Sequence, residues 1–148
     1  MRRTELRQRG ENADRWTWWR ESQRKLVHDR SHRRCEVCGK PGSAIHHLFG
    51  RTRLSEPLTS HAAMTLYACV DCHTPRLHRP DREATLIEAE QWRAVQRCLD
   101  IWPVNLLGVD NPVDAARIIE REVNGDLKEL LASRAAETTA SVRDDGPR

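Results

Sequence analysis

His46 and His47 stand side by side in the stretch GSAIHHLFGRTR, and His61, His73 and His78 follow. Five of the seven histidines therefore fall within 33 residues. A neutral imidazole does two kinds of chemistry near pH 7: its lone pair binds a divalent metal, and the ring takes up a proton as a general base. On a strand, successive side chains point to opposite faces, so an adjacent pair cannot serve one purpose. The division that fits is a metal ligand on one face and a general base on the other. His73 follows Cys72 directly, and His78 lies five residues on with Pro75 between them.

Four of the five cysteines form two Cys-x-x-Cys pairs, Cys35–Cys38 in CEVC and Cys69–Cys72 in CVDC, with 30 residues between the pairs. Two such turns can complete a tetrahedral four-thiolate zinc site. Disulfides are the competing reading. The N-terminus carries charge with no hydrophobic run behind it, so the chain is expected to lack a secretory signal and to stay in the cytoplasm, where disulfides are rare. A closed four-cysteine site has no open coordination position and performs no chemistry; it contributes folding energy and pins the base of the loop that carries the histidines. Cys98 lies alone in a helical pattern and reads as a small apolar residue.

In order and separation, CEVC, IHH and CVDCH resemble the HNH endonucleases of the four-cysteine zinc-knuckle type, over roughly residues 19–82. Stand-alone members of about this size are common in bacteriophage genomes, so the resemblance implies a phage or prophage source and the cytoplasm of a bacterial or phage-infected cell. The implied fold class is α+β: a small ββα-metal core built on a structural zinc site, flanked by an N-terminal helix and C-terminal helices. The implied activity is metal-dependent hydrolysis of DNA phosphodiester bonds, by nicking or double-strand cleavage. Carried onto this chain, His47 would be the general base. His46 and His73 would hold a catalytic divalent metal, with His78 either a third ligand or a surface residue. The cofactors implied are structural Zn²⁺ and catalytic Mg²⁺, Mn²⁺ or another divalent transition metal, the latter suited to all-histidine ligation. One position departs from the pattern. Where the family usually places an asparagine, five residues before the second cysteine pair, this chain has Met64; His61 or Ser60 could substitute from the same loop. A catalytically silent zinc module that binds DNA or protein is the alternative.

The elements that must position these groups are legible in part. Residues 2–13 lack periodicity and read as a mobile basic arm. Asp14 to Arg30 reads as a helix, with Trp16, Trp19, Gln23, Leu26 and Val27 on one face. SAIHHLF and MTLYACV have strand character. After Pro80-Asp81 an amphipathic helix shows Leu86, Ala89, Trp92, Val95, Leu99 and Trp102 at spacings of three or four. The next helix is announced by Asn111 as cap, Pro112 and Asp114 in its first turn, and Asn124-Gly125 as its stop. The chain thus divides into an arm and helix (1–34), a nuclease-like core (35–82), an acidic helical extension (83–135) and a disordered tail (136–148).

Charge follows that division. Residues 1–34 carry a net +6, residues 35–82 a net +2 and residues 83–148 a net −5, within the chain's +3. The first half therefore suits a polyanion. Arg51, Arg53, Arg76 and Arg79 are the candidate phosphate-binding residues, with the N-terminal arginines extending the footprint. The acidic helices suit the core or a protein partner. No apolar run approaches the roughly 20 residues of a membrane span.

Overall fold

The computed structural model describes residues 3–50, 53–78 and 80–143. It shows mixed helix and sheet: helices flank one two-stranded antiparallel sheet, so the α+β class expected from the sequence holds. Helix α1 spans Arg3–Ser31, strand β1 Ala44–His47 and strand β2 Thr65–Ala68. A single helical turn α2, Val70–Cys72, leads into a π-helical turn, His73–Leu77, and helices α3 (Pro80–Leu99) and α4 (Pro112–Arg143) close the chain.

The expected arm is helical from Arg3: Glu, Leu, Arg and Gln there favour helix without needing an apolar face. From Trp19 on, α1 buries Trp19, Gln23, Val27 and Ser31, a stripe at intervals of four, whereas Leu26 points to solvent. The helix ends because His32 (φ 49°) and Arg33 (φ 58°) enter the left-handed region, which halts the i→i−4 ladder and turns the chain into the first cysteine turn.

The register of the sheet pairs His46 with Leu66 and His47 with Thr65. Leu66 and Ala68 join the main core with Leu48, Phe49 and Met64, whereas Tyr67 packs with Val27, Ala62 and Ile45 under α1. All four residues of β2 are buried, because both faces of that strand are covered. Gly42 is required where the chain enters β1: a Cβ there would overlap the Tyr67 ring.

The two C-terminal helices belong to the same core. Helix α3 buries Glu90, Gln91, Ala94, Val95 and Cys98. The predicted stripe is rotated: Trp92 and Leu99 are half-buried at its margin and Ala89 is exposed. Helix α4 buries Ala115, Ala116, Ile119, Val123, Leu127 and Leu131, and it passes through Asn124-Gly125 without stopping. Its start is as read: the Asp114 N–H donates to the Asn111 side-chain oxygen at 2.9 Å. The tail expected from residue 136 is helical to Arg143. Among the described residues, no helix is long and apolar enough to cross a membrane.

Candidate metal centres and the cleft beside them

Each cysteine pair is shaped by its own backbone and then joined to the other by β2. In the first turn the Gly39 N–H donates to the Cys35 carbonyl at 2.8 Å and the Cys35 N–H to that of Lys40 at 2.7 Å. Gly39 at φ +76° supplies the left-handed step this requires. In the second, Cys69 precedes α2 and Cys72 ends it, with the His73 N–H donating to the Cys69 carbonyl at 2.8 Å. Glu36 stitches the turns together: its N–H donates to the Tyr67 carbonyl, and its carboxylate accepts the Tyr67 N–H at 2.7 Å. Arg30 grips that carboxylate with two nitrogens, at 2.8 and 2.9 Å, and donates to the carbonyls of Ala62 and Thr65.

The result is a group of four sulfurs, all within 4.8 Å of one another, with Cys38 and Cys69 at 3.6 Å. A tetrahedral ion with Zn–S bonds of about 2.3 Å places its sulfurs about 3.8 Å apart, so the donor set fits zinc. A four-way convergence is not disulfide geometry, in which one pair stands at bonding distance; all four cysteines are free thiols. Burial works to raise the Cys35 thiol, but the backbone N–H groups of Cys69, Cys38 and Val37 outweigh it and bring it to about 7. Cys72 is pushed up to about 12, first by burial and then by the thiols of Cys38 and Cys69. Burial and the neighbouring thiols thus oppose ionising all four together, a cost that a cation among the sulfurs would remove.

A second group forms on the other side of the Cys72–His73 bond. His46 comes from β1, His73 begins the π turn and His78 directly follows it; their ring nitrogens lie within 4.8 Å of one another. The Nε2 atoms of His73 and His78 are 3.3 Å apart, and the three rings stand nearly perpendicular, with centroids separated by 4.5 to 5.3 Å. His46 is 5% exposed, and its Nδ1 is buried without a hydrogen-bond partner. Burial, followed by His78, His73 and His47, lowers its pKa to about 3. His73 is lowered too, by burial and then by His78. His46 thus keeps a free lone pair at neutral pH. An ion held by these three imidazoles would have coordination positions left open.

His47 takes the opposite face of β1. It lines a cleft of about 380 Å³ between the sheet and α1, shared with Arg20, Arg24, His28, Ser60 and Tyr67. The two adjacent histidines therefore point to opposite sides of the strand: His46 faces the imidazole cluster and His47 a basic cleft.

The remaining candidates are placed as follows. His61 is no ligand: its Nδ1 accepts the Ala63 N–H at 3.1 Å, and its ring packs between Trp19 and Trp102. Ser60, in contrast, lines the cleft with His47 and donates to Glu56 at 2.6 Å. Arg76 is held by Glu83 at 3.2 Å and touches the Cys72 sulfur at 3.6 Å. Arg53 lines a separate depression against Asp114, Arg117 and Glu120 of α4. Arg51 and Arg79 lie outside the described residues. His28 borders the cleft with its ring 4.8 Å from that of Tyr67. The sequence reading missed Arg20, Arg24 and His28 as one unit; their spacing of four on a helix was the available signal.

Met64 is 1% exposed and sits in the core. The loop around it is tied down from outside. Trp19 Nε1 donates to the Pro57 carbonyl at 3.0 Å, the Ala62 N–H donates to Gln23 at 2.9 Å, and Gln91 donates to the Leu48 carbonyl at 2.8 Å. Compared with known proteins, the chain matches no family model, no curated protein and no solved structure.

Proposed function

We propose that this protein is an HNH-type, metal-dependent endonuclease that hydrolyses DNA phosphodiester bonds, with residues 35–82 as a ββα-metal core on a structural zinc site. The observation that carries the reading is the β1–β2 register, which sends His46 to the imidazole cluster and His47 into the basic cleft. His46, His73 and His78 would hold the divalent ion, which when bound supplies Lewis-acid stabilisation of charge on the phosphate and the leaving oxygen. His47 takes the proton from the attacking water, for which a neutral imidazole is suited near pH 7. Arginines of the cleft hold the backbone in place for that attack.

The zinc module without activity is kept as a second reading for one reason: Met64 stands where the family has asparagine. In the family that asparagine commonly fixes the loop and supports the base, and in some members it contacts the metal. Trp19, Gln23 and Gln91 account for the first, and Ser60, on the cleft, is the residue available for the second. The test is a supercoiled-plasmid assay with Mg²⁺, Mn²⁺, Ni²⁺ or EDTA, comparing the wild type with His47→Ala. Nicking or linearisation by the wild type, absent in the folded, zinc-loaded variant, supports the endonuclease. If both are inactive in every metal yet shift DNA on a gel, the silent module is the better account.

A further inference from the structure

Helix α1 is the wall of the cleft that faces His47, and the residues it contributes are not scattered. Arg20, Arg24 and His28 follow one another at intervals of four along one face. Each step advances about 6 Å along the axis, comparable with the spacing of successive phosphates on a nucleic-acid strand. None of the described residues lining this cleft is acidic. At one end, Glu56 accepts from both Arg20 (3.0 Å) and Ser60 (2.6 Å), which fixes the direction of the guanidinium and neutralises part of its charge. Arg24 has no ion-pair partner among the described residues, so its charge is available to a ligand.

We infer that the Arg20–Arg24–His28 face of α1 is a backbone-phosphate track, binding phosphates of the DNA strand next to the bond that His47 attacks, with Arg24 as its principal contact. The inference rests on the endonuclease reading for the choice of DNA and goes beyond it by naming the helix that holds the strand. It moves the binding surface from Arg53, which faces α4, to a helix outside the residues that carry the metal groups. Arg24 acts here as a positioning residue: phosphate contacts set register and orientation and carry no sequence information.

The test is binding rather than cleavage, on the full zinc-loaded chain without added divalent metal. The probe is a short fluorescein-labelled DNA duplex followed by anisotropy over a range of salt concentrations. Arg24→Gln is expected to weaken binding by about three- to tenfold at low salt and to lower the slope of log K against log salt by about one contact. Arg24→Glu is expected to weaken it further. Arg121→Gln on α4, which changes net charge equally, is expected to bind as the wild type does. The inference is overturned if Arg24→Gln binds like the wild type, or if Arg121→Gln loses as much, since charge alone would then be the cause. A plasmid assay separates the two readings. Arg24-dependent binding without cleavage sinks the endonuclease and leaves the track; cleavage with unchanged binding by Arg24→Gln sinks the track alone.

Discussion

The cysteine quartet and the histidine trio share a peptide bond, since Cys72 and His73 are consecutive, yet they are built on opposite principles. The quartet is closed: each pair sits in its own hydrogen-bonded turn, and Glu36 and Arg30 lock the turns to β2. The trio is open: one imidazole comes from a strand, one begins a π turn and one follows it, and one buried nitrogen is left without a partner. Irregular turns of this kind are frequent where a helix has been adapted to a site. The comparison teaches that one site can position the other. Whatever fixes Cys72 also fixes His73, so a metal held by the sulfurs would also brace imidazoles that are not themselves well braced.

Removing a sulfur should therefore have the largest effect. Cys72→Ser is expected to lose the zinc and, with it, the cooperative thermal transition, because a structural zinc site contributes roughly 10 kcal/mol or more to folding against a net domain stability of about 5–15 kcal/mol. Metal analysis together with near-ultraviolet circular dichroism would show it. A variant that melts cooperatively without zinc would end the claim that the quartet holds the fold.

His46→Ala should separate the two sites. Its zinc content is expected to stay at one ion per chain and its melting to fall only modestly, by about 1–2 kcal/mol of stability, since the Nδ1 that is lost has no bond to break. Binding of Mn²⁺ or Ni²⁺ by titration calorimetry, and any plasmid cleavage, should be lost. If zinc left together with the second metal, the two groups would be one unit and the contrast drawn above would fail.

Acid probes a histidine outside both groups, His61, whose ring packs between Trp19 and Trp102. Burial, helped by Arg30, lowers His61 to about 4 from an ordinary value of 6.5. Between those values the unfolded chain binds the proton and the folded chain does not, so this histidine destabilises the fold as the pH drops below 6.5. Its share should be about 2 kcal/mol between pH 7 and pH 5. It is read as the difference between wild type and His61→Gln in urea unfolding at the two pH values. Equal losses for the two proteins would show that His61 is not sheltered between its tryptophans.

How far all this could be read beforehand depends on whether a residue's job is local. The cysteine turns, the opposed faces of His46 and His47, and the Asn111 cap are matters of spacing within a few residues, and the sequence displayed them. The face of α3 was not legible: Glu90 and Gln91 are buried where Ala89 is not, because Gln91 has a distant carbonyl, Leu48, to satisfy its amide. Likewise Asn124-Gly125 has the form of a stop signal, and packing of Val123 and Leu127 on either side overrides it. The cleft was hidden for the same reason. Arg20 and His47 are brought together only by the folding of α1 onto the sheet, and no local pattern announces a wall.

The smallest effect is expected where sequence inspection would place a large one. Lys40 and Asp71 join the two cysteine turns by an ion pair at 3.3 Å, spanning 31 positions of chain, and they look like a clasp across the four-cysteine group. Their side chains are 66% and 67% exposed, however, so water and salt screen the attraction and holding two mobile chains together costs entropy. The hydrogen bond from Lys40 to Asp71 raises the lysine's pKa, which shows contact but not strength. What closes the site lies beneath them: the buried cysteines Cys35, Cys69 and Cys72 and the Glu36 bridge to Tyr67. Lys40→Gln should accordingly release zinc to a competing chelator at the wild-type rate, whereas Glu36→Gln, which weakens the Arg30 grip on β2, should release it faster. If the ranking came out reversed, the quartet would be held by surface charge rather than by backbone and burial. It would then be no better braced than the trio beside it.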